Sequence, residues 1–409
     1  MESMGPLSPD TVRLVIVLVG LPARGKTYIG RKIRRFLTWL GYRARSFNIG
    51  DYRRQRLGYH HRHDFFDPNN VAGARARQEM ATAALDDLIE WMKDGGGVGI
   101  YDATNTTVER RRHVFERCTA AGLQVVFIES VCEDPAIIEA NIRETKLSSP
   151  DYVGMDPDEA VADFRARIEH YTRVYEPIQE EECSYIRLID VCRVIVMHRI
   201  QGYLPGKLVF YLMNLHLVRR PIWLTRHGES EFNVVGRIGG DTGLTAQGEK
   251  YAQALAEFVR DHADQPPVVW TSTLRRTIET TAQLGVPSLQ WRALDEIDAG
   301  ICDGMTYAEI AEQMPDEYRA RSADKLHYRY PRGESYQDVI ARLEPVIIEL
   351  ERQRSPVLVV AHQAVLRALY AYFMDKEPEQ CLRMAVPLGT VVELRPGPYA
   401  FHERRFALM

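Results

Sequence analysis

Two short stretches of the chain carry residue types suited to handling phosphate, one in each half. Gly20-Leu21-Pro22-Ala23-Arg24-Gly25-Lys26-Thr27 has the spacing G-x-x-x-x-G-K-T, and Arg226-His227-Gly228-Glu229 sets an arginine against a histidine. The first spacing is that of a phosphate-cradling loop between a strand and a helix. Gly20 and Gly25 free the backbone to aim N–H groups at phosphate oxygens, and the helix that follows adds the positive end of its dipole. Lys26 can then reach the outer phosphates of a nucleoside triphosphate, and the Thr27 hydroxyl can ligate Mg2+. Such a site needs a second carboxylate on the magnesium side. Asp102, ending Val98-Gly99-Ile100-Tyr101-Asp102, supplies it, either as a magnesium ligand or as the acceptor of a hydroxyl proton. The alternative role, capping the next helix, suits Thr106 or Thr107 better.

The second stretch points to covalent chemistry. An imidazole that attacks phosphorus needs cations around the phosphoryl oxygens and an acid for the leaving alkoxide. Thr271-Ser272-Thr273-Leu274-Arg275-Arg276-Thr277 brings arginines, Leu294-Asp295-Glu296-Ile297 brings carboxylates, and Ala361-His362-Gln363 brings a second histidine. One half is therefore suited to adding a phosphoryl group and the other to removing one. If arginines among 53, 54, 75, 77, 110, 111, 112, 165 and 167, with Lys146, serve the acceptor of the first half, that acceptor is an anion; surface solubility accounts for about half of them. Spacing alone does not separate the functional arginines from solvated ones.

The elements that must position these groups are readable from periodicity. In the first half, apolar strand-like runs at 13–19, 44–49, 98–101, 124–130 and 185–191 alternate with helical stretches at 26–40, 72–93, 108–121 and 135–146. The second half has strands at 222–225, 268–271 and 357–361 and helices near 246–263, 274–284, 307–313, 337–352 and 365–373. Alternation of this kind predicts α/β domains, each a parallel sheet covered on both faces. At 409 residues the chain exceeds one core, and two three-layer domains, 1–218 and 219–409, are expected, with the break at Val218-Arg219-Arg220-Pro221.

Composition narrows the partners. A formal charge of −4 is too small to imply nucleic acid or a membrane surface. No apolar run approaches the ~18 residues of a membrane helix. Six cysteines, without CxxC spacing, read as reduced thiols rather than a zinc site, so a cytoplasmic location is expected.

Longer words then carry a resemblance over nearly the whole chain: Gly20–Thr27, FNIGDYRR from Phe47, DATNTT from Asp102, FIESVC from Phe127, KLSSPDY from Lys146, RHGE from Arg226, GRIGG from Gly236, EIDAG from Glu296, YRYPRGESY from Tyr328 and HQAVLR from His362. The chain resembles the 6-phosphofructo-2-kinase/fructose-2,6-bisphosphatase family. The resemblance implies a P-loop kinase sheet followed by a histidine-phosphatase sheet of the phosphoglycerate-mutase-like kind. It implies ATP-dependent phosphorylation of the 2-hydroxyl of fructose 6-phosphate, and hydrolysis of the product through a phosphohistidine.

By residue, the resemblance puts Gly20 to Thr27, Cys132, Asn141 and Lys146 at ATP, with Mg2+ on Thr27 and Asp102. It puts Arg53, Arg77, Thr104, Arg110, Lys146, Arg167 and Tyr171 at fructose 6-phosphate. In the second domain the resemblance makes His227 the nucleophile and Glu296 the acid, with Arg226, Arg276 and His362 around the transferring phosphoryl. It implies that Asn233, Gly239, Tyr307, Arg321, Lys325, Tyr336, Gln363 and Arg367 hold the rest of the bisphosphate. A homodimer is implied by the family habit. The short stretch before the first strand leads us not to expect control by phosphorylated tails.

Two other readings compete. A polynucleotide end-healing kinase–phosphatase needs a broadly basic groove with stacking aromatics, which the near-neutral charge disfavours. A non-catalytic metabolite sensor would lack Lys26, Asp102 or His227, and all three are present.

Overall fold

In the computed structural model the described residues are 12–146, 149–179, 183–216, 219–397 and 400–409. They form two compact units, Met1–Met213 and Asn214–Met409. The anticipated break at 217–222 begins on residues 217 and 218, which lie outside the described residues.

The first unit is built on six strands: β1 (Leu14–Val19), β2 (Ala44–Asn48), β3 (Val98–Asp102), β4 (Gln124–Val131), β5 (Tyr185–Ile189) and β6 (Val194–His198), in the order β2-β3-β1-β4-β5-β6. β1, the run LVIVLV, is buried at all six positions, as a central strand covered on both faces must be. β1 pairs in parallel with β3 and β4, and its partner for Leu18 is Asp102. The loop after β1 and the end of β3 therefore open on the same edge, between adjacent strands whose connections depart in different directions. That crevice is where open α/β sheets take ligands.

The second unit repeats the plan with β7 (Ile222–Arg226), β8 (Val268–Thr271), β9 (Ser288–Gln290), β10 (Val357–Ala361), β11 (Thr390–Pro396) and β12 (Phe401–Ala407), ordered β12-β11-β7-β10-β8-β9. β7 and β10 run parallel with Arg226 opposite Ala361, so His227 and His362 leave neighbouring strand ends together. At Gly228 a Cβ would stand 2.5 Å from the Gly248 carbonyl oxygen, so only glycine fits beside the histidine.

The sheets are mixed, not wholly parallel as expected. β6 runs antiparallel to β5, and β11 runs antiparallel to both β7 and β12. Their signals are weak for identifiable reasons. The β5–β6 turn uses Asp190, Val191 and Cys192 at positive φ (48, 59 and 67°), without the glycine that announces such turns. β12 is the edge run FHERRFA, dense in charge as edges that resist further pairing are.

Helix boundaries shift for equally local causes. The stretch expected as one helix over 337–352 is two, Tyr336–Arg342 and Glu344–Arg352, because Pro345 starts a helix and cannot continue one. The helix expected over 135–146 is α-helical to Asn141 and closes in a π turn, Ile142–Lys146. Helix Pro157–Thr172, capped by Asp156, was not anticipated. Thr107 caps helix Val108–Ala120, its hydroxyl accepting from the Arg110 N–H.

Candidate functional site

In the first unit the loop 20–25 is wound for anions. Gly20, Ala23 and Gly25 have φ of 133, 59 and 78°. A Cβ on Gly20 would meet the Ser130 carbonyl oxygen at 2.4 Å. Helix Lys26–Trp39 starts at Gly25 with no side-chain cap and no acidic residue in its first turn. A helix start of this kind, with the positive end of the dipole behind it, favours a negative ligand. The Lys26 ammonium curls over the loop and donates to the Leu21 carbonyl at 2.6 Å. Asn141 donates to Ala23 O at 3.0 Å and Ser130 to Arg24 O at 2.5 Å, tying the loop from outside. Buried Cys132 lies near Arg24, and burial pushes its thiol up. Asp102 is buried at the β3 end and accepts from Asn48. Gly20 N donates to Thr104 O at 2.9 Å, which draws the DATNTT segment against the loop. Asn105, at φ 44°, bonds back to Leu18 O at 2.7 Å. Uncapped amides, a lysine in the loop and an acid at the next strand end fit a magnesium nucleotide.

Beside this loop the structure separates the arginines that spacing could not. Arg53, Arg77, Arg167 and Tyr171 gather around Phe65 and Phe66, and Arg110 is near enough to Arg77 for their charges to interact. The Arg167 guanidinium lies 3.6 Å and that of Arg53 5.5 Å from the Phe66 ring centre, and the Tyr171 ring lies 6.1 Å away. Arg77 donates to the Phe65 carbonyl, and Arg110 donates to Asn105 at 3.2 Å. Burial lowers Arg53 and Arg77 from the ordinary arginine range, with the neighbouring charge of Arg167 adding to it in both. Such crowding favours a bound anion. Arg53 leans on buried Asp151, which sequence reasoning missed along with Phe66. By contrast Arg75 pairs with Glu79 and Arg165 with Glu139 in solvent, and Arg111 holds the carbonyls of Asn105, Thr106 and Glu176. The side chain of Lys146 lies outside the described residues.

In the second unit the predicted residues surround one cavity of about 190 Å3. Arg226, His227, Asn233, Gly239, Arg276, Glu296, Tyr307, Arg321, Lys325, Tyr336, Gln363 and Arg367 all line it. His227 is 3% exposed, and its Nδ1 lies 2.7 Å from the Gly228 carbonyl. A carbonyl only accepts, so Nδ1 carries the proton and Nε2 keeps its lone pair. Burial, then the charge of Arg276, lowers His227 to about 3. Arg226 and Arg276 are themselves lowered by burial, while the negative charge of Glu296 opposes the shift. Glu296 accepts from its neighbour Ile297 N at 2.9 Å and from Ala364 N at 3.3 Å. Asp295, its partner in the sequence, instead caps Thr273. Burial brings Lys325 down to about 8 and Tyr336 up to about 12.

His362 differs from its neighbours. It is fully buried, its ring centre 5.1 Å from that of His227, but it does not line the cavity. At the cap position of helix Gln363–Phe373 its Nε2 is held by Ser272 Oγ at 2.8 Å.

The low value of His227 has a testable sign. Between about 3 and its unfolded value near 6.5 the unfolded chain binds a proton that the folded His227 does not. That contribution to stability falls as pH drops through this window. In carbon-13-labelled protein, the histidine signal absent from a His227→Ala sample is expected to stay unshifted from pH 7.5 to 4.5. A midpoint near 6.5 would contradict the buried neutral imidazole.

Comparison with known proteins bears on both units. Residues 4–219 match the 6-phosphofructo-2-kinase family, and residues 222–408 match the histidine phosphatase superfamily (branch 1). A 6-phosphofructo-2-kinase/fructose-2,6-bisphosphatase of Gallus gallus is 50% identical over 389 residues, covering 94% of this chain and 83% of its own. This chain belongs to that family. A Homo sapiens member, 6-phosphofructo-2-kinase/fructose-2,6-bisphosphatase 4, is 49% identical with the same coverage. An Arabidopsis thaliana 6-phosphofructo-2-kinase/fructose-2,6-bisphosphatase is 52% identical over all of this chain, which spans 55% of that longer protein. Within the 6-phosphofructo-2-kinase/fructose-2,6-bisphosphatase frame, sequence reasoning passed over Ser230, Phe232, Arg237, Tyr328 and Tyr330, which also line the cavity. Tyr330 was visible in the word YRYPRGESY, and its hydroxyl accepts from Arg321 Nε at 2.7 Å.

Proposed function

We propose that the chain synthesises fructose 2,6-bisphosphate from ATP and fructose 6-phosphate in its first unit and hydrolyses it at the 2-position in its second. The observation that carries this reading is the single cavity holding His227, Glu296 and six cations, Arg226, Arg237, Arg276, Arg321, Lys325 and Arg367. A phosphohistidine mechanism on a monophosphate needs only the first few cations. The surplus around Arg321, Lys325 and Arg367 suits a second phosphate on the same sugar.

In hydrolysis His227 Nε2 attacks phosphorus while Arg226 and Arg276 offset the charge on its oxygens. Glu296 protonates the departing sugar oxygen, then takes a proton from the water that cleaves the phosphohistidine. In synthesis the loop amides and Lys26 hold the nucleotide phosphates, and Arg53, Arg77, Arg110, Arg167 and Tyr171 hold the sugar phosphate. Thr27 and Asp102 would hold Mg2+, which neutralises charge on the transferring phosphoryl when bound. Family resemblance supports a homodimer in the cytoplasm as the working form, and no helix among the described residues is long and apolar enough to cross a membrane.

The test is to assay both directions with purified protein. ATP and fructose 6-phosphate are expected to yield a bisphosphate that the same protein returns to fructose 6-phosphate, with label from the 2-phosphate trapped on histidine. Release of the 6-phosphate instead, or label stable to acid and lost in alkali, would overturn the reading.

A further inference from the structure

Glu296 occupies an irregular segment between the short helical turns Arg292–Leu294 and Gly300–Cys302, so no strand ladder or helix fixes its backbone. An acid must nevertheless meet one oxygen within a few tenths of an ångström. The fixing contacts come from Arg342, the last residue of helix Tyr336–Arg342. Its Nη1 donates to Ala293 O, and its Nη2 donates to Asp295 O at 2.7 Å and to Glu296 O at 3.3 Å. Its Nε meets Glu334 Oε1 at 2.8 Å, and Nη2 meets Glu334 Oε2 at 3.2 Å.

Glu334 completes the hold from the far side of the segment. Its carboxylate accepts from Asp298 N at 3.0 Å, and its own N–H donates to Asp298 O at 2.9 Å. A Cβ on Gly333 would come within 2.3 Å of Asp298 O, so the two segments are in backbone contact. Arg342 does not line the cavity. Three carbonyl targets, on residues 293, 295 and 296, and one carboxylate match a planar five-donor fork and nothing that lysine can offer.

We propose that Arg342 is a positioning residue for hydrolysis: with Glu334 it sets the place of the Glu296 carboxyl and acts on the reaction only through it. This rests on the reading of Glu296 as the acid. Because the cations of the cavity wall are untouched, binding of the bisphosphate is left intact.

The experiment is a double-mutant cycle in the full chain, with kcat and KM for fructose 2,6-bisphosphate hydrolysis read for Arg342→Ala, Arg342→Lys, Glu296→Gln and the Arg342→Ala/Glu296→Gln pair. Either arginine replacement is expected to lower kcat on the order of 10- to 100-fold. KM should stay within about twofold and kinase activity should not change. In the Glu296→Gln background, Arg342→Ala should take away nothing further, because it acts through a group already disabled. Arg342→Lys carries the test where the alanine protein does not fold. An undiminished kcat, a raised KM at constant kcat, or an equal loss in the Glu296→Gln background would overturn the proposal. A Glu296→Gln protein as fast as wild type would remove the acid assignment and this inference with it. A slow Glu296→Gln beside a fast Arg342→Ala would remove the inference alone.

Discussion

Replacing His227 by alanine is expected to lower fructose 2,6-bisphosphate hydrolysis on the order of 10^4-fold or more, about 5.5 kcal/mol in the barrier, while leaving bisphosphate synthesis intact. The size follows from what the imidazole does and what remains without it. The Gly228 carbonyl fixes the Nδ1 proton, and burial keeps the ring neutral, so Nε2 is a nucleophile at every working pH. Arg226, Arg276 and Glu296 survive the substitution in the same cavity. They can bind the substrate and polarise it, but the group that takes the phosphoryl is gone. Glu296 is not a substitute, since it serves as the acid at the other end of the breaking bond. The measurement is phosphate release from fructose 2,6-bisphosphate by His227→Ala and by His227→Gln, which keeps more of the buried volume. Hydrolysis within tenfold of wild type would end the phosphohistidine reading. Loss of synthesis in a folded His227→Ala protein would end the assignment of the two reactions to separate units.

What was legible in the chain beforehand divides along sequence separation. The loop 20–27 and the word RHGE are local: each fits within eight positions, and each follows a strand, β1 or β7, whose first three residues are apolar and buried. Asp151, Phe66 and Arg342 were not legible, because their meaning lies in partners far along the chain. Asp151 matters through Arg53, 98 residues earlier, and Arg342 through Ala293, 49 residues earlier. No spacing rule joins such positions. The same limit explains why spacing alone does not separate the nine arginines, while the resemblance picks out four and the structure sets two of those, Arg53 and Arg167, against Phe66. In the fold, the antiparallel β6 escaped because its turn is made by Asp190, Val191 and Cys192 in left-handed geometry that those residue types do not advertise. Helix Pro157–Thr172 is a different case: Asp156 followed by Pro157 is a local start signal that the sequence carries in full.

Substituting Lys26 by methionine is expected to lower synthesis on the order of 10^3-fold, the scale seen when a cation is removed from a transferring phosphoryl group, and to leave hydrolysis unchanged. Lys26 opens helix Lys26–Trp39, whose start has no side-chain cap and no acid, so the backbone amides there still favour phosphate once the ammonium is lost. Those amides are set by Gly20, Ala23 and Gly25 and do not depend on the lysine, so the nucleotide should still bind. The ammonium, which donates to Leu21 O, is placed to answer negative charge as it moves toward the leaving group. The loss should therefore fall mainly on kcat, with the KM for ATP rising much less, because the interaction grows as the phosphoryl separates. Methionine keeps the length of the side chain and its apolar stem, and this lysine is only 9% exposed, so the thermal midpoint should hold. Synthesis assayed against ATP concentration, beside hydrolysis by the same preparation, gives the answer. A rise in the KM for ATP at constant kcat would reduce Lys26 to a binding residue. Undiminished synthesis would mean that loop 20–25 does not cradle the transferring phosphate at all.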